Sequence, residues 1–130
     1  MPNKTEYLIE TDILVDHLVH DDLSTMSTLE IAMTKGICFS SVINASELYF
    51  RSASLVEKQN VDKVVYALNI LGIHSRYSLN ISDFFDKVTS VRDALMCSVA
   101  LNNKLPLLTG EIERYQKCGI KIITPKELRG

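Results

Sequence analysis

Five carboxylates stand where apolar runs end. Glu10 and Asp12 follow Tyr7-Leu8-Ile9, and Glu47 comes after Ser40-Ser41. Asp93 opens the segment Asp93-Ala94-Leu95-Met96, and Glu111 lies just past Leu107-Leu108-Thr109. Taken one at a time, each acid has an ordinary reading: a solvated strand end for Glu10, a helix N-cap for Asp12, a wet helix face for Glu47. Asp93 and Glu111 fall in first helical turns, where negative charge suits the helix dipole. Taken together, acids that converge on one cleft repel each other unless a cation sits among them. A site built only of oxygen ligands suits Mg²⁺ or Mn²⁺ rather than zinc. A divalent ion held by a few carboxylates, with open positions, is an arrangement that cuts phosphodiesters.

The elements around these residues alternate. A buried strand is expected at about 6–10, then a short helix from Ile13 capped by Asp12. A second helix spans about 25–35 and is stopped by Gly36 in the way a C′ glycine does. Ile37 to Ser41 is the next strand. Helical spacing runs from Val42 to about Lys58, and Asn60 caps a further helix with the stripe Val61, Val64, Val65, Leu68, Leu71. Tyr77 to Ile81 reads as a weak strand, and Ser82 or Asp83 caps a helix through Phe84, Phe85 and Val88. The pattern then gives a helix at 93–103, a strand at Leu105–Thr109, a short helix at Glu111–Lys117 and a last strand at Ile120–Thr124 that Pro125 ends. Strands that are continuous apolar runs between helices predict a three-layer α/β/α fold with a mostly parallel central sheet. In such sheets the site lies beyond the carboxyl ends of the strands.

The 130 residues carry 14 Lys+Arg and 16 Asp+Glu, a net charge of −2, with 46% hydrophobic residues. This reads as one domain over 1–130, large enough to fold on its own core. The apolar content excludes a disordered chain. Cys38, Cys97 and Cys118 are odd in number and lack a CxxC spacing, which excludes a disulfide scaffold and points to a reducing compartment. No apolar run is long enough to span a membrane. The opening MPNKTEYLIETDILV is too acidic for a signal peptide, so the cytoplasm is expected. His17 and His20 lie three apart among Asp16, Asp21 and Asp22, but no third ligand follows at a zinc spacing, and they read as a polar helix end.

Four blocks, in order, resemble the PIN domain of VapC-type toxins. YLIETDILVDHL resembles the family's first strand, acidic turn and aliphatic helix. SSVINASELYF resembles its Ser-containing strand and Glu-bearing helix. RDALMCSVALNNKLPLLTGEIERY resembles its Asp-Ala-Leu helix, short strand and Thr-x-acid turn, and GIKIITPKEL its closing strand. The resemblance implies a metal-dependent endoribonuclease, the toxin of a toxin–antitoxin pair. Glu10, Glu47, Asp93 and Glu111 would hold Mg²⁺ or Mn²⁺, with Asp12 completing the catalytic set. Thr11 and Thr109 would bind carboxylates or substrate. Arg51, Arg92 and Arg114 are the cations expected to rim the site and draw in RNA. A small antitoxin laid into the cleft and a homodimer are implied as well.

The first acid of the family is normally Asp, and here it is Glu10, one methylene longer. This sets up a second reading: a PIN fold that has lost its chemistry and binds RNA or a protein without cutting. A receiver-like signalling domain, another parallel-sheet fold with an acidic pocket, would need a phosphoacceptor Asp where this chain has Ser40-Ser41 and Asn80.

Overall fold

The structure is a computed structural model and describes residues 5–130. The first four residues of the opening segment lie outside the described part. Tyr7-Leu8-Ile9 forms β1 (Glu6–Ile9), followed by α1 (Thr11–Val19), α2 (Thr28–Lys35), β2 (Ile37–Ser41), α3 (Val42–Arg51), α4 (Leu55–Ala67) and β3 (Asn69–Leu71). A 3₁₀ segment (Ser75–Phe84) leads to α5 (Val91–Asn103), β4 (Leu107–Leu108), α6 (Ile112–Tyr115), β5 (Ile122–Ile123) and α7 (Pro125–Arg129). The sheet order is β3-β2-β1-β4-β5, and every pairing is parallel. β1 is central, in register with β2 through Leu8–Phe39 and with β4 through Leu8–Leu107.

Side chains that alternate across a strand explain the layers. Tyr7, Ile9 and Leu108 face one core with Leu14, Leu29, Leu48, Val61 and Leu128 of α1, α2, α3, α4 and α7. Leu8 and Leu107 face the other, with Met96, Val99, Phe84 and Tyr115. Both sheet faces are covered, so the central strands have no wet side to make polar. This is the expected three-layer α/β/α arrangement. Among the described residues, no helix is long and apolar enough to cross a membrane.

Several boundaries differ from the sequence expectation. The cap of α1 is Glu10, whose carboxylate accepts from the Thr11 N–H at 2.8 Å, and Asp12 is turned elsewhere. Gly36 is extended (φ −175°), not left-handed. Its need for glycine is a close approach, since a Cβ there would lie 2.2 Å from the Thr5 carbonyl oxygen. The long helix expected from Val42 breaks at Ser52–Ser54. Ser52 Oγ bonds back to the Leu48 carbonyl, and Ser54 Oγ caps α4 through the Glu57 N–H. Asn60 is therefore inside α4 rather than a cap. The apolar stripe past Leu68 continues as β3, an edge strand too short to show its own period. Tyr77–Ile81 is part of the 3₁₀ segment instead of a strand, and no α-helix starts at Ser82 or Asp83. Pro125 opens α7, with Thr124 as its cap.

Candidate functional site

The parallel sheet sends four chain segments to one edge. β1 ends into Glu10 and Thr11, and β2 ends into α3, which carries Asn44 and Glu47. β4 ends into Thr109, Gly110 and Glu111. α5 feeds β4, so its N-terminus, with Arg92 and Asp93, lies at that same edge.

Glu10 is the centre. It is 0% exposed, and both of its oxygens are fully engaged. Oε1 accepts from the Thr11 N–H (2.8 Å), Asn44 Nδ2 (2.9 Å) and Arg92 Nη2 (2.5 Å). Oε2 accepts from Arg92 Nη1 (2.7 Å) and the Tyr115 hydroxyl. Asn44 is held in turn by its Oδ1, which accepts from Ser41 N–H and Oγ.

Arg92 spreads its five N–H groups over three carboxylates. The fork on Glu10 is bidentate. Nε and Nη2 donate to Glu47 at 3.3 and 2.7 Å, and Nη1 donates to Asp93 Oδ1 at 3.1 Å and to the Tyr115 oxygen at 2.7 Å. A planar guanidinium can do this and a lysine ammonium cannot. Glu47 also accepts from Thr11 Oγ1 at 2.6 Å. Asp93, 2% exposed, is bound on its other side by Arg114 through Nε (3.1 Å) and Nη2, and Arg114 Nη1 donates to Glu111.

Asp12 sits beside this network and outside it. Its Oδ1 accepts from Thr109 Oγ1 and its Oδ2 from the Gly110 N–H, both at 2.9 Å. Thr109 Oγ1 also accepts from the Glu111 N–H, so Asp12 and Thr109 together shape the turn after β4.

The electrostatics follow from these contacts. Burial pushes the Glu10 carboxyl up, but Arg92, the Tyr115 hydroxyl and the Thr11 N–H more than offset it and leave its pKa below the usual Glu value. Asp93 behaves alike: burial raises it, and Arg114 and Arg92 together bring it below the usual Asp value. Asp12 goes the other way. Its burial, with Glu10 and Glu111 nearby, outweighs its two hydrogen bonds and raises its pKa. Burial and the Glu10 charge hold the Tyr115 phenol protonated well above its ordinary range. For Arg92, burial disfavours the cation, but the bonds to Glu10 and Glu47 more than restore it.

Of the residues singled out from the sequence, Glu10, Thr11, Glu47, Arg92, Asp93, Glu111 and Arg114 form one connected network, and Asp12 and Thr109 adjoin it. Arg51 is elsewhere. It lines a groove of about 250 Å³ between α1, α3 and α4, with Val15, Leu18, Val19, Leu48, Glu57 and Val61. His17 and His20 are also separate: His17 Nδ1 pairs with Ser27 Oγ, and His20 Nε2 with the Thr25 carbonyl. Sequence reasoning missed Asn44 and Tyr115, both 0% exposed. Each carried a signal. Asn44 lies three residues before Glu47, on the same face of one helix, and Tyr115 lies four residues after Glu111 in the short helix that follows β4, where a buried tyrosine needs a partner for its hydroxyl.

No protein-family model matches the chain, and no curated protein is similar to it in sequence at a significant level. Solved structures do match. One is described as VapBC2 from Rickettsia felis bound to a DNA fragment from their promoter (TM-score 0.77, 19% identity, 92% of this chain and 98% of that one). Another is a toxin–antitoxin complex from Klebsiella pneumoniae (0.71, 20%, 92% and 97%). A third is DNA-bound VapBC from Salmonella typhimurium (0.73, 15%, 93% and 98%). The fold is the PIN-domain, VapC-like fold. At these identities the likeness establishes the fold and leaves the chemistry to the residues.

A divalent ion in this fold's acidic cleft would have to be held by Glu10, Glu47 and Asp93. Those three carboxylates already share one cation, the Arg92 guanidinium. The oxygens of Glu10 have no free direction left for an ion, and Glu10 is sealed from solvent. Among the described residues, no group of three or more His, Cys, Asp or Glu is arranged to hold a metal. The donor set has the right chemistry, but with Arg92 seated it does not fit a metal.

Proposed function

We propose that this chain is the PIN-fold member of a toxin–antitoxin pair and works as a protein-binding module, without metal-dependent cutting of RNA. The observation that supports this reading is the Arg92 guanidinium bonded to Glu10, Glu47 and Asp93 together. A site whose acids are tied to the chain's own cation has no place to activate water. Nor does it attract phosphate. Glu10, Asp12, Glu47, Asp93 and Glu111 outnumber Arg92 and Arg114, so the cleft stays net negative, and both guanidiniums are already paired. Two of the three expected rim cations thus belong to the interior of the network.

A protein partner suits the surface better. The groove between α1, α3 and α4 is lined by Val15, Leu18, Val19 and Leu48, and Phe50, Leu55 and Val56, close in sequence to its lining residues Arg51 and Glu57, are exposed. An apolar segment of a small antitoxin is the partner this chemistry favours. A homodimer and a cytoplasmic setting go with the same reading.

A second reading is a Mg²⁺- or Mn²⁺-dependent endoribonuclease. The observation in its favour is that acids from three strand ends and the start of α5 meet at the carboxyl edge of the sheet. One assay separates the two. End-labelled, mixed-sequence single-stranded RNA is incubated with the chain in Mg²⁺, Mn²⁺ or EDTA, beside Asp93→Asn. Intact RNA in every lane is expected. Metal-dependent cleavage that Asp93→Asn abolishes would install the nuclease reading instead. For the partner, the chain purified from its native cell is expected to bring a small protein with it, and Val19→Glu and Phe50→Glu are expected to lose that protein. A partner held equally by both variants would place the contact elsewhere.

A further inference from the structure

We infer that Arg92 is the resident cation of the acidic cleft, a built-in counter-ion that takes the place of a divalent metal. The inference rests on the reading of the cleft given above and deepens it by assigning the role to one residue.

Three independent features carry it. The first is geometry. Arg92 reaches Glu10, Glu47 and Asp93, contributed by the turn after β1, by α3 and by α5, and it uses all three of its nitrogens to do so. A surface arginine satisfied by chance meets one carboxylate; this one is at the focus of the acids. The second is placement. Arg92 is in the first turn of α5, where the helix dipole disfavours a positive charge. Its position is sustained by the carboxylates and runs against the local preference of the helix. The third is the surrounding scaffold. The Tyr115 hydroxyl bridges Glu10 and Asp93 while accepting from Arg92, and Asn44 holds the remaining lone pair of Glu10. Both are fully buried and fix the carboxylates in the orientation that suits the planar fork. Arg114 then closes the outer side by tying Asp93 to Glu111.

The consequence is an exchange rule. With the guanidinium present, the cluster has no use for an external ion. With it removed, Glu47 and Asp93 gain free oxygen lone pairs beside Glu10, and the three acids repel each other until a cation enters.

The test uses Mn²⁺ alone as the probe. Binding is read by the loss of free Mn²⁺ signal in electron paramagnetic resonance, and unfolding by circular dichroism in EDTA and in Mn²⁺. Wild type is expected to leave Mn²⁺ free and to melt at the same temperature in both buffers. Arg92→Gln is expected to melt lower than wild type in EDTA, to take up one Mn²⁺, and to regain part of the lost melting temperature with it. A wild-type chain that binds one Mn²⁺, with the binding lost in Asp93→Asn, overturns the inference. So does a folded Arg92→Gln that takes up none. Because the wild-type and Asp93→Asn measurements do not use Arg92→Gln, the test stands even if that variant fails to fold. The two readings fail separately: RNA cut in EDTA would sink the binding-module function alone, and Mn²⁺ uptake without cutting would sink the resident-cation role alone.

Discussion

Arg92→Met should be among the most damaging single substitutions in this chain. Met keeps much of the aliphatic stem and removes the charge. Left behind is Glu10, with no exposure and no other cation, while Asp93, 2% exposed, keeps its pairing with Arg114. Breaking a buried ion pair by removing one partner costs about 3–5 kcal/mol. The Arg92 side chain is 22% exposed and water can partly solvate what remains, so the lower end, about 3 kcal/mol, is expected. At about 3–5 °C per kcal/mol for a domain of this size, the melting temperature should fall by roughly 10–15 °C. The assay is urea unfolding of wild type, Arg92→Met, Glu10→Gln and the double variant. Gln removes the charge that Arg92 neutralises, so the double variant should be more stable than the sum of the single losses, by at least ~1.5 kcal/mol. Losses that add to within ~0.5 kcal/mol would refute the claim that Arg92 is what holds Glu10. Arg92→Lys should fall between wild type and Arg92→Met, because it restores charge without the fork.

Acid should unfold the protein through Glu10 and Asp93. Both have folded pKa values below their unfolded ones, so their contribution is complete above the usual carboxylate range and is lost as pH falls through the lowered folded values. Glu10→Gln should therefore flatten the fall in unfolding free energy below about pH 4, measured by urea titration across pH. Asp12 has the opposite sign. Its raised pKa makes ionisation a cost that appears as pH rises, so Asp12→Asn should change stability at pH 7 by less than ~1 kcal/mol, far less than Glu10→Gln. Tyr115→Phe removes a hydroxyl bonded to a buried carboxylate and should cost about 1.5–3 kcal/mol by chemical denaturation. Gly36→Ala puts a Cβ 2.2 Å from the Thr5 carbonyl oxygen and should cost about 1–3 kcal/mol by the same measurement.

How far these features were legible in the sequence depends on the range of the interaction. The apolar runs Tyr7–Ile9 and Ile37–Phe39 announced strands buried on both faces, and those strands pair at the centre of the sheet. The acids were legible because strand ends share an edge in any parallel sheet. The break at Ser52–Ser54 was written as a Ser54-x-x-Glu57 capping pattern, but the unbroken apolar period around it masked the signal. β3 was hidden for a related reason: three residues at a sheet edge are too few to show a period of two.

Arg92 was the residue least legible in its role. Beside an acid in sequence, an arginine reads as a rim cation. Its actual direction is set by Glu10 and Glu47, distant in sequence and brought near only by the sheet. One local hint was available, a positive charge in the first turn of a helix, against the dipole.

The most direct measurement is a crystal structure of the wild-type chain grown in Mn²⁺, with anomalous data collected for manganese. The Arg92 guanidinium is expected bonded to Glu10, Glu47 and Asp93, with no anomalous peak between them. A manganese peak coordinated by those three carboxylates, with Arg92 turned out to solvent, would contradict the resident-cation role.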